Sequence, residues 1–68
     1  MNMIPVEVQK PNKPESAHLV GEAPDYWPPE RVARYVGVPD GCLVDGKIIK
    51  SRKDGDRRWS LVAYVEFG

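Results

Sequence analysis

A chain of 68 residues with one cysteine, seven prolines and a formal net charge of zero has room for one small domain with a modest core. It excludes an intramolecular disulfide, a zinc site built from cysteines alone and strong long-range attraction to polyanions. No apolar run approaches the roughly 18 residues of a membrane span, and the N-terminus lacks the basic-then-apolar order of a signal peptide, so the expected setting is cytoplasmic, with no membrane partner.

Residues 1–25 hold Pro5, Pro11, Pro14 and Pro24 among polar residues, and read as a flexible, proline-containing N-terminal arm. Within it Ile4, Val6 and Val8 alternate as a short edge strand over residues 4–8 would, an edge being the place where Pro5 is tolerated. Residues 26–68 are expected to form the single folded domain.

That domain opens with YWPPERVARYVGVP. Pro29 suits the first helical turn, where its missing N–H costs nothing, and Glu30 lies near the positive end of the helix dipole. Val32, Tyr35 and Val36 follow at helical spacing and form a short apolar stripe. Gly37 is placed for a left-handed C-terminal turn, Val38 for the accompanying apolar contact and Pro39 for a stop. So short a helix must dock on something to persist.

Two Asp-Gly pairs, Asp45-Gly46 and Asp54-Gly55, then punctuate the chain as tight turns would. Beyond them Trp59, Leu61, Ala63, Val65 and Phe67 alternate strictly, the pattern of a half-buried strand. The spacing predicts a three-stranded antiparallel meander over 42–44, 47–53 and 56–66, and hence an α+β fold with one short helix packed on it. A second reading makes Ser60 an N-cap and residues 60–67 a terminal helix; β-branched and aromatic content favours the strand.

Charge is distributed unevenly. Residues 1–30 carry two Lys against five acids, residues 31–46 two Arg against two Asp, and residues 47–68 six Lys/Arg against three acids. Lys47, Lys50, Arg52, Lys53, Arg57 and Arg58 surround the second Asp-Gly pair, where a projecting ribbon could present them to phosphates. Arg31 and Arg34 lie three apart on the helix and could add contacts from a second element. The same charges also suit an ordinary solvated hairpin whose lysines discourage edge pairing. Trp59 is expected in the core, and Trp27 against the helix start or on a partner.

Residues for bond chemistry are sparse. His18 is the only histidine, Cys42 has no histidine at a useful spacing, and no phosphate loop, HExxH, EF-hand or dinucleotide fingerprint occurs. No catalytic, metal or cofactor residues are therefore assigned, and the chain reads as non-enzymatic.

YWPPERVARYVGVP resembles the opening helix of small phage excisionases and related winged helix-turn-helix proteins. KIIKSRKDGDRRW is similar to their basic wing, and LVAYVE to the element that closes such domains. The resemblance spans residues 26–66 and implies a reduced winged-helix-like fold with a DNA-reading helix near residues 39–47. It places Arg52, Lys53, Arg57 and Arg58 on the wing. It further implies a small accessory or regulatory protein acting on double-stranded phage or mobile-element DNA. The alternative is a protein-binding module or inhibitor, or a homodimer, acting through a strand edge, the Tyr26/Trp27 pair or the acidic N-terminal segment.

Overall fold

A computed structural model of the chain describes residues 2–50 and 55–65. Its elements run β1 (Met3–Lys10), β2 (Lys13–Pro24), α1 (Pro29–Val36), β3 (Leu43–Lys50) and β4 (Arg57–Ala63). The strands form one mixed sheet in the order β2-β1-β4-β3. Two antiparallel hairpins, β1–β2 and β3–β4, are joined by a parallel pairing of β1 with β4. The expected three-stranded antiparallel meander is thus replaced by a four-stranded mixed sheet, and the winged-helix arrangement with it. Residues 39–47 hold no second helix; they lead from α1 into β3.

The first half of the sheet comes from the segment expected to be an arm. Its prolines sit where a sheet accepts them. Pro11 fixes its own φ near −65° and Asn12 takes φ 61°, closing a two-residue turn between Lys10 and Lys13. The Lys10 N–H donates to Ser16 Oγ at 2.8 Å and that hydroxyl donates to the Lys13 carbonyl at 2.7 Å, which ties the hairpin end together. Pro14 and Pro24 lie on β2, an edge strand. Pro5 lies on β1, but the β1–β4 register begins at Val6 opposite Trp59, so Pro5 is paired only with Glu22 of β2. The rule that proline belongs where one side of a strand is unpaired holds; the strand is nevertheless central beyond that point.

The alternating residues Ile4, Val6 and Val8 of β1 and Trp59, Leu61 and Ala63 of β4 are all buried. They point to the face covered by α1, together with Ala23, Val32, Ala33 and Val38. The strand reading of the last segment is therefore the correct one over Arg57–Ala63, and Trp59 is a core residue. Phe67 lies outside the described residues.

The helix forms where its sequence signals place it. Pro28 and Pro29 start it, and Gly37 ends it at φ 101°. The Gly37 N–H donates to the Arg34 carbonyl (3.3 Å) and the Val38 N–H to the Ala33 carbonyl (2.8 Å), the paired bonds of a Schellman turn, with Val38 buried as its apolar contact. The inward stripe differs in one member: Ala33 is buried beside Val32, whereas Tyr35 is exposed and packs edge-on against Trp27, ring centroids 5.4 Å apart.

Asp45-Gly46 makes no turn. It lies inside β3, in register with Val62 and Leu61 of β4. A Cβ on Gly46 would stand 2.5 Å from Pro29 Cβ and 3.0 Å from Leu61 Cδ2. The glycine is there because the start of α1 rests directly on the strand. Gly55 of the second pair has φ 77° and directly precedes the approach to β4; Asp54 lies outside the described residues.

Candidate functional site

Of the eight cations singled out from sequence, six lie among the described residues and four of these are engaged within the chain. The Arg31 guanidinium sits 4.2 Å from the centroid of the Trp27 ring, so Trp27 packs against the helix start in a cation–π contact. Arg34 Nε lies 3.5 Å from Asp40 Oδ1 on the surface, where such a pair adds little to stability. Arg57 Nη1 donates to Asp25 Oδ2 at 3.3 Å, and Arg58 Nη1 to Glu7 Oε2 at 2.9 Å. The second of these pairs is mostly shielded from water and ties β4 to β1 across the face away from the helix. Lys47 and Lys50 are exposed. Arg52 and Lys53 lie outside the described residues.

The cations among the described residues do not form one surface. Lys50 faces Arg57 across the β3–β4 ladder on the side of Trp59. Lys47, opposite Ser60, and Arg58, opposite Ile49, project from the other side. Within that hairpin both arginines are met by carboxylates from the N-terminal half, Asp25 and Glu7.

Sequence reasoning missed the two outer edges of the sheet. β2 is an irregular edge: its register against β1 shifts between Val6 and Glu7 and again between Val8 and Lys10, and it carries Pro14, Glu15, His18 and Glu22. Such bulges and charges make a poor template for a further strand. β3 carries Asp45, Lys47 and Lys50 as well, but it shifts register only once, between Leu43 and Asp45, and from Asp45 to Lys50 it keeps one unbroken antiparallel register with β4. Its other side meets no strand among the described residues. It presents Val44, 52% exposed, with Leu43, Ile48 and Ile49 partly exposed beside it. The LVDGKIIK run held the signal, but an Asp-Gly pair at its centre reads as a turn until the helix packing on Gly46 is known.

Little else has the character of a site. His18 is exposed, with Nδ1 2.9 Å from the Ser16 carbonyl oxygen, and Cys42 is a half-buried free thiol. No group of three His, Cys, Asp or Glu side chains placed to hold a metal occurs among the described residues. A cavity of about 390 Å³ at the tip of the first hairpin is lined by Lys10, Pro11, Lys13, Tyr64 and Val65, a set without a carboxylate, imidazole or thiol. No helix among the described residues is long and apolar enough to cross a membrane.

Compared with models of protein families, with curated proteins and with solved structures, the chain matches none.

Proposed function

We propose that this chain is a non-enzymatic protein-binding module that works by strand addition along the outer edge of β3. One observation carries the reading: from Asp45 to Lys50 the edge strand β3 keeps an unbroken register with β4, and its second row of backbone donors and acceptors meets no strand among the described residues, while the opposite edge shifts register twice. Strand addition draws affinity from main-chain hydrogen bonds and specificity from alternate side chains, both of which this edge offers. The half-buried, unpaired Cys42 suits a reducing, cytoplasmic setting. A random-peptide display selection against the intact chain tests the reading. Extended peptides rich in β-branched and aromatic residues are expected, and their binding should shift the amide resonances of Leu43–Lys50. Shifts confined to β2 or α1, or no binder at all, would sink it.

A second reading, contact with double-stranded DNA through the β3–β4 hairpin, is favoured by the exposure of Lys47 and Lys50 on that ribbon. Arg57 and Arg58 are poor probes of it, because changing either also breaks a contact to Asp25 or Glu7. The cleaner variant is Lys47→Gln/Lys50→Gln. On this reading the affinity for a short duplex falls steeply with salt, and the double variant flattens the log–log salt slope by about one to two, the two lysines lying on opposite sides of the ribbon. An unchanged slope in the variant removes the hairpin from DNA contact.

A further inference from the structure

We infer that the strand received by the β3 edge is β3 of a second copy of this chain, paired antiparallel about a two-fold axis through Gly46. The inference rests on the edge-strand reading above and names its partner. A two-fold axis perpendicular to the sheet makes any self-pairing of an edge strand antiparallel and isologous. It also brings residues of the same face opposite one another, so the axis must pass through a residue and not between two.

Four registers give useful overlap, centred on Asp45, Gly46, Lys47 or Ile48. An axis at Asp45 sets that carboxylate against its own copy, and an axis at Lys47 does the same to the ammonium; like charges directly opposite are unfavourable. An axis at Ile48 sets Lys47 against the partner's Ile49 and leaves Asp45 beyond the last residue of the partner's strand. The axis at Gly46 sets Asp45 against the partner's Lys47, and Lys47 against the partner's Asp45. This register alone makes two opposite-charge pairs and no like-charge pair. Gly46 is also where Pro29 rests on the strand, so the two proline rings flank the axis on the helix side. The result is one continuous eight-stranded sheet built from two of the four-stranded sheets described above.

The charge pattern permits a self-checking experiment. Asp45 and Lys47 are both exposed, so exchanging their charges leaves the core alone. Sedimentation equilibrium of the full chain at low salt over a wide concentration range should show wild type reaching twice the monomer mass. D45K and K47D each place two like-charge pairs at the seam, and each should raise the dimer dissociation constant about tenfold. An equimolar mixture of these two variants should recover association, because every cross-strand pair is then opposite in sign. The double swap D45K/K47D should dimerise with itself but not with wild type, which native mass spectrometry reads directly even if a single swap fails to fold. Wild type that stays monomeric at millimolar concentration overturns the inference, as do single swaps that associate normally or free mixing of wild type with the double swap. If the wild-type chain is monomeric while display-selected peptides still shift Leu43–Lys50, only the identity of the partner is wrong. If neither binds, the edge-strand reading itself fails.

Discussion

Gly46→Ala should destabilise the chain by about 1–3 kcal/mol and lower its melting temperature by on the order of 10 °C, given how a domain of this size converts free energy into temperature. The sign is the informative part. A glycine in a strand interior normally weakens it, and replacement by alanine recovers about 0.5–1 kcal/mol of backbone entropy. Here the added methyl would lie 2.5 Å from Pro29 Cβ, an atom held by a ring at the start of α1, and 3.0 Å from Leu61 Cδ2. Leu61 is buried with no exposure, so its methyl has little room to retreat. The helix must therefore lift from β3 or β3 must move from β4. Thermal and urea unfolding of Gly46→Ala, Pro29→Gly and the double variant close the cycle. The cost of Gly46→Ala should shrink by more than half when Pro29 has lost its Cβ, a coupling typical of residues in direct contact. Additive costs, or a stabilising Gly46→Ala, would show that α1 does not rest on Gly46.

That contact also explains why Asp45-Gly46 misled. An Asp-Gly pair satisfies the local chemistry of a tight turn, and only the placement of α1 supplies a competing reason for glycine. What could be read from sequence was local. Gly37, Val38 and Pro39 define a helix end through bonds three to five residues long, and the Trp59–Leu61–Ala63 alternation declares its face without reference to any partner. The pairing of β1 with β4 is not local, because it joins the ends of the chain. The prolines of β1 and β2 also hid a hairpin that each of them tolerates for a different reason. The candidate site shows the same division. Lysines and arginines counted along residues 47–68 look like an electropositive ribbon, yet Arg57 and Arg58 meet acids 32 and 51 residues away. Sheet order decides which strand is left at an edge, and with β4 drawn inward beside β1 that strand is β3.

Trp59→Ala should cost about 3–5 kcal/mol, a large share of the roughly 3–10 kcal/mol expected for a domain of this length, and leave much of the chain unfolded at 37 °C. Trp59 sits where the two halves of the fold meet: it faces Val6 across the parallel β1–β4 pairing and Ile48 across the antiparallel β3–β4 pairing. It is 3% exposed. Its indole Nε1–H donates to the Pro24 carbonyl oxygen at 3.1 Å, reaching past β1 to the end of β2. One side chain thus touches the register of three strands and anchors a fourth. Trp59→Phe separates packing from the hydrogen bond. It keeps most of the buried ring but leaves a shielded carbonyl with a poorer partner, at a cost of about 1–3 kcal/mol. Urea unfolding followed by circular dichroism should give a cooperative transition at a lower midpoint for Trp59→Phe, and a broad or absent one for Trp59→Ala. Trp27, half-buried against Arg31 and Tyr35, remains in both variants as a fluorescent reporter of the helix start. If Trp59→Ala unfolded near the wild-type midpoint, β1 and β4 could not be the paired centre of the sheet. A Trp59→Phe variant as damaged as the alanine would instead assign most of the effect to the indole hydrogen bond that links β4 to the end of β2.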